Sequence, residues 1–221
     1  EDKGDDSERL FSRLENLSYE YKLIENETEA KELANFLLTN EIFSLDTETT
    51  SIEALEAKLV GLSFSTEDFR AWYVPVSRET EKAKKILEIF RPVYENPKIL
   101  KVGQNLKYDL TVLANYGIHL SGPLFDTMLA HYLIQPELRH NMDYLAEIYL
   151  NYKTIHIEEL IGPKGRGQKN MGDLEPKDIY KYACEDADVT LRLMKPLAEE
   201  LRKNSLEEVF QNIEMPLMPV L

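Results

Sequence analysis

The 221-residue sequence predicts an α/β protein, one domain in which a mixed β-sheet is flanked by α-helices. Three observations carry this. Short apolar runs rich in β-branched and aromatic residues fill the first half, helical periodicity dominates after residue 105, and no internal repeat or heptad divides the chain. "YEYKLI" (19–24) reads as a first strand, and "TEAKELANFLLTN" as a helix with Thr28 as its N-cap. "IFSLD" (42–46), "KLVGLSFS" (58–65) and "AWYVPV" (71–76) read as strands close enough in sequence to form a meander. The charged run 80–94 reads as an exposed helix and "KILKVG" (98–103) as the next strand. "NLKYDLTVLANYG", "DTMLAHYLIQ", "NMDYLAEIYLNY" and a long segment from Pro176 to about Lys203, with proline in its first turn, read as helices. The glycine-containing stretch 162–172 between them reads as a functional or mobile loop.

Composition narrows the function. With 43% hydrophobic and 30% charged residues and no apolar stretch of membrane-spanning length, a soluble protein with no membrane partner is expected. The start, "EDKGDDSERL", lacks the basic and apolar parts of a secretory signal, so residues 1–18 read as an acidic, solvated linker. A single cysteine, Cys184, excludes an internal disulfide framework and fits a reducing cytoplasm. A net charge of -14 argues against nucleic-acid attraction over the whole surface. A nucleic-acid site must then be local, built on bound divalent cations or on the loop "GPKGRGQKN". Lys164, Arg166 and Lys169 in that loop read equally as solvated residues or phosphate contacts.

One short stretch asks for explanation. "FSLDTETTSI" (43–52) runs from apolar residues straight into Asp46 and Glu48, at the end of a buried strand. Asp-x-Glu alone is a weak signal: with 12 Asp and 28 Glu the chain contains it three times, and chance supplies about 1.5. Asp6/Glu8 falls in the linker and Asp173/Glu175 before a helix, so only Asp46/Glu48 ends a strand. Alternation puts both on one face, ~7 Å apart along the backbone, within reach of one cation. Crowded carboxylates repel unless a cation compensates them, and oxygen ligands suit Mg²⁺ or Mn²⁺. Asn105 and Asp109, four residues apart, share a helical face; so do Tyr182 and Asp186. Asp188 is expected to point away from Asp186 and to cap or face solvent. His119, His131, His140 and His156 lack metal-ligand spacing and read as structural or surface residues.

Asp46-x-Glu48, Asn105-x-x-Tyr108-Asp109 and Tyr182-x-x-x-Asp186 together resemble the three motifs of the DEDD 3′-5′ exonucleases, in the subgroup with tyrosine in the third motif. The wording around them, "DTETTS", "LVGLSF", "KVGQNLKYDL", "FDTMLAHYL", "MDYLAE", "YACEDADVTLRL" and "IEMPLMPVL", resembles the proofreading domain of the bacterial DNA polymerase I family over about residues 20–221. The resemblance implies a ribonuclease H-like fold and a 3′-5′ exonuclease domain over 19–210, with 211–221 beginning the connection to a covalently linked polymerase domain. No polymerase activity is expected of this chain.

The resemblance also assigns roles. Asp46, Glu48 and Asp186 hold a first divalent ion, and Asp46 bridges to a second that Asp109 binds through water; Tyr182 and Glu48 orient the attacking water. The ions are Mg²⁺, with Mn²⁺ or Zn²⁺ able to substitute. Thr47, Ile52, Gln104, Asn105 and Ile157 contact the substrate, the two isoleucines as apolar wedges against the terminal nucleotide. By composition alone those isoleucines read as core. The implied partner is a single-stranded DNA 3′ end met by a monomer. An RNA-trimming exonuclease with the same residues, and a catalytically silent domain that positions a polymerase, are the alternatives.

Overall fold

The computed structural model describes residues 11–220. Residues 1–10 of the expected linker lie outside the described residues. Residues 11–18 are attached to the body: Ser12 bridges to Tyr152 and Leu14 is buried.

Six strands form one sheet: β1 (Glu20–Leu23), β2 (Ile42–Thr49), β3 (Leu59–Glu67), β4 (Arg70–Pro75), β5 (Leu100–Gly103) and β6 (Leu124–Asp126). Their order is β1-β4-β3-β2-β5-β6. The expected meander is present, with β2–β3 and β3–β4 antiparallel, while β1–β4, β2–β5 and β5–β6 are parallel. The sheet is therefore mixed, and helices flank it as expected. Among the described residues β6 is a strand the hydrophobic pattern did not reveal, because its three residues leave no room for alternation.

The two faces of the sheet differ in side-chain size. On one, Phe43 and Phe64 of the strands pack with Phe90 and Tyr94 of α2 (Thr80–Tyr94) at ring-centroid distances of 5.1–5.9 Å, and α1 (Glu27–Leu37) packs beside α2. On the other, Ser44, Ser63, Ser65, Gly61 and Ala71 leave room for the long helix α7 (Pro176–Lys203). The approach is close enough for the Ser44 hydroxyl to donate to the Ala187 carbonyl at 2.6 Å. Gly61 is needed there, since a Cβ would lie 2.1 Å from the Tyr73 ring. The shorter helices α3 (Leu106–Ala114), α4 (Thr127–Ile134), α5 (Met142–Leu150) and α6 (Ile157–Ile161) follow the strands, and α4 and α5 pack beside α7.

Three sequence expectations need correction. Thr28 lies inside α1; Asn26 is the cap, accepting from the Glu29 N–H at 3.0 Å, because an Asn side chain one residue before the helix reaches that donor. Strand β2 runs on to Thr49, so Asp46 and Glu48 are within it, not at its end. Asn105 stands before α3 with φ 62, a left-handed conformation that Asn tolerates, and so does not share a helical face with Asp109.

Candidate active site

Strand β2 carries the site because it lies between β3 and β5 and its C-terminal half outruns the parallel pairing with β5, which ends at Ser44–Val102. Its pairing with β3 shifts register between Glu48 and Thr49. Asp46 and Glu48 thus share a face at an opening in the sheet, beneath α7. From α7 come Asp186 and, one turn earlier, Tyr182. Carboxylate oxygens of Asp46, Glu48 and Asp186 lie within 4.8 Å of one another. Asp109, in the first turn of α3, stands outside this trio and accepts from the Thr47 hydroxyl at 2.6 Å.

The loop that presents Asp109 is fixed by a residue sequence reasoning missed. Asp126, buried at the junction of β6 and α4, accepts from the Leu106 N–H at 2.7 Å and the Asn105 N–H at 3.3 Å, and caps α4 through the Met128 and Leu129 N–H groups. The signal was Asp followed by Thr at the start of an apolar helix, an N-cap pattern absorbed into the helix itself.

The electrostatics are unfavourable as they stand. Burial pushes Asp46 up to about 6, offset in part by the Thr47 N–H. Burial, then the charges of Asp46 and Asp109, push Glu48 well above the carboxylate range. Asp109 and Asp186 are raised the same way, by burial and then by Asp46. Burial and Asp186 raise the Tyr182 phenol, so it stays protonated. The charges acting on Glu48 are both negative, and its Oε1 is buried with no hydrogen-bond partner among the described residues. An all-oxygen donor set, an orphaned carboxylate oxygen and mutual repulsion fit a hard divalent cation.

The carboxylates form the floor of a cleft of about 510 Å³. The ten residues to which the resemblance assigns catalytic or substrate-contact roles all line it. Ile52 is 90% exposed and Ile157 38%, so both project at the rim and neither is core. Two polar members are already engaged within the protein. The Thr47 hydroxyl serves Asp109, while the Gln104 amide accepts from Thr127 and donates to the His140 carbonyl at 2.7 Å. The Tyr108 hydroxyl contacts Thr49 and donates to the Ser51 carbonyl, holding the turn that carries Ile52. Of the basic loop, Lys169 lines the cleft and Lys164 and Arg166 do not. That loop is tied down by Asn170, which donates to the Thr50 carbonyl at 2.6 Å.

Asp188 corrects the sequence reading. It points away from the cleft, as expected, but is fully buried. It accepts from the Tyr21 hydroxyl at 2.8 Å and the Phe69 N–H at 2.7 Å, and pairs with Arg192 at 3.3 Å. Helix periodicity gave its direction, but not what the sheet would pack against it. His131 is buried with its Nδ1 2.8 Å from that of His140, outside the cleft lining.

Comparison with known proteins places this geometry. A family model described as 3′-5′ exonuclease matches residues 21–202. DNA polymerase I of Pseudomonas aeruginosa is 44% identical over 191 residues, covering 82% of this chain and 21% of the relative. DNA polymerase I of Borreliella burgdorferi is 33% identical over 215 residues, covering 96% of this chain and 23% of the relative. The chain thus spans between a fifth and a quarter of the length of these relatives. Among solved structures, the exoribonuclease RNase D of Escherichia coli superposes with a TM-score of 0.71 at 16% identity, over 92% of this chain and 50% of that one. That likeness concerns the fold, a ribonuclease H-like mixed sheet. With the motifs in order, the acidic trio assembled and the family match spanning most of its length, the chain belongs to the 3′-5′ exonuclease family and is a phosphodiester hydrolase.

Proposed function

We propose that the chain hydrolyses the 3′-terminal phosphodiester of single-stranded DNA, releasing nucleoside 5′-monophosphates, as the proofreading module of a longer DNA polymerase. The observation that carries the reading is the carboxylate trio, Glu48 and Asp186 buried and Asp46 partly so, with one oxygen orphaned, on the floor of an open cleft. DNA is favoured over RNA because the relatives named DNA polymerase I share 44% and 33% of residues with this chain, whereas RNase D shares 16%.

Asp46, Glu48 and Asp186 would hold one divalent ion, and Asp46 with Asp109 a second, Mg²⁺ being the best match to oxygen donors. When bound, two such ions would supply charge neutralisation at the phosphate and a lowered pKa for water. The protein's own groups do the rest. Tyr182, kept protonated by burial, offers an O–H beside Asp186 to hold the attacking water, and the unpartnered Oε1 of Glu48 accepts from it. Ile52 and Ile157 clasp the terminal base without reading its identity, since apolar contact accepts any base. Asn105, exposed at the rim, and Lys169 reach the sugar and phosphate. With the Thr47 hydroxyl and the Gln104 amide engaged, these two residues shape the wall.

The test is end-labelled single-stranded DNA and RNA incubated with Mg²⁺ or EDTA. Mononucleotides should leave DNA only with metal, and at least about 1,000-fold more slowly from Asp46→Ala. Faster release from RNA would favour the RNA-trimming alternative, and no metal-dependent release from either would sink the assignment.

A further inference from the structure

Residues 151–156 join α5 to α6 as a strap with neither helix nor extended pairing beyond the Tyr152 bridge. The strap matters because it ends at Ile157, the first residue of α6 and one rim of the cleft. It is held from three sides. Ser12 donates its N–H to the Asn151 carbonyl at 3.1 Å and accepts from the Lys153 N–H at 2.9 Å. The Thr154 hydroxyl donates to Asp143 at 2.7 Å. The third attachment is Glu185 on α7, a carboxylate with no exposed surface, immediately before Asp186 in the chain. One of its oxygens accepts from the Tyr152 hydroxyl, and the other from the Ile155 N–H at 2.6 Å.

We propose that Glu185 is a positioning residue: it fixes the spacing between the metal-binding carboxylates and the apolar rim at Ile157, and so decides how a terminal nucleotide is seated. The inference rests on the exonuclease reading above. Neighbouring helix residues point about 100° apart, so Asp186 faces the cleft floor while Glu185 faces the strap. From Asp186 to Ile157 the path is then one peptide unit, one buried carboxylate and a hydrogen bond to a residue two positions before the rim. The two oxygens meet two donors at different points of the strap, which fixes its orientation as well as its distance. Apolar clasping is sensitive to such a shift. Displacement of a bound reactant by about 1 Å is enough to lose much of the benefit of orientation.

Glu185→Met keeps the volume and deletes both acceptors, whereas Glu185→Gln keeps an acceptor for the Ile155 N–H and can donate its amide N–H to the Tyr152 hydroxyl. Steady-state kinetics on a single-stranded oligonucleotide with Mn²⁺ should show KM raised about tenfold in Glu185→Met, with kcat within about twofold and the Mn²⁺ half-saturation unchanged. Glu185→Gln should lie close to wild type. An oligonucleotide ending in 2-aminopurine, titrated with Ca²⁺ present, should lose its fluorescence change in Glu185→Met. Adding Ile157→Ala to Glu185→Met should raise KM no further, because the two act through one contact. If Glu185→Met does not fold, Tyr152→Phe removes one of the two bonds and should give the same split at about threefold. Parallel changes in kcat, KM and Mn²⁺ half-saturation would overturn the proposal by placing Glu185 among supports of the metal cluster. Unchanged kinetics would also overturn it. Wild-type protein inert on DNA with every ion is a different outcome, and would remove the exonuclease reading itself.

Discussion

Asp186 and Asp188, two residues apart on α7, lie in neighbourhoods that differ in what meets them. Asp188 is surrounded by donors: a phenol, a backbone N–H and the Arg192 guanidinium, which itself lies 4.3 Å above the Phe69 ring and 4.8 Å above Tyr152. Those partners oppose the upward push of burial on its carboxyl. Two residues away, Asp186 meets Asp46 and Glu48, each negative, and only the Tyr182 phenol opposes them. Burial alone does not separate scaffold from site, because both neighbourhoods are buried. Completeness of partners does: a carboxylate with its donors in place is part of the framework, and one packed among its own kind awaits a cation.

The sharpest way to break this distinction is to neutralise one acid from each neighbourhood. Asp186→Asn should lower exonuclease turnover by at least about 1,000-fold while leaving the fold intact, and should raise the melting temperature measured in EDTA, since it removes repulsion. Asp188→Ala should do the reverse, costing about 3 kcal/mol, roughly 10 °C in melting temperature, with turnover per folded molecule preserved. Equal effects of the two on activity would erase the difference.

A smaller effect separates the neighbourhoods without mutation. Asp46 titrates at about 6 in the fold against an ordinary 3.8. The folded, metal-free protein therefore binds more protons than the unfolded chain between those values, and its stability falls as pH rises through that window. Glu48, Asp109 and Asp186, pushed higher, extend the fall above pH 6. Melting in EDTA should therefore drop by several degrees between pH 5.5 and pH 8, and Mg²⁺ should restore more at pH 8 than at pH 5.5. Metal-free stability that stays level or climbs over that range would mean the cluster is already compensated.

Much of the site was legible because its chemistry needs particular residue types at fixed spacing. Tyr182 and Asp186 are one helical turn apart in any α-helix, and Asp46 and Glu48 share a face in any strand. The three-stranded meander followed from short polar turns. What stayed hidden depends on long-range packing. Asp126 supports Asp109 across 17 residues, Glu185 holds a strap 30 residues away, and Asp188 closes on Tyr21 of β1 and on Phe69 of the turn between β3 and β4. None has a local signature, since their partners are chosen by topology. The Asn105 conformation was missed for a related reason: the same four-residue spacing fits a helix or the turn before one.

The sequence Glu185-Asp186-Ala187-Asp188 gives one helix three acidic side chains aimed at three different neighbours: the strap, the cleft and the sheet. Exchanging Glu185 with Asp186 would leave composition, net charge and helical propensity almost untouched. Yet the shorter arm would fall short of the Ile155 N–H, and the longer one would crowd the ion-binding floor. What each acid meets is set by the order of the letters, so a scan that counts acids would rate as silent a swap that should disturb both the strap and the cleft.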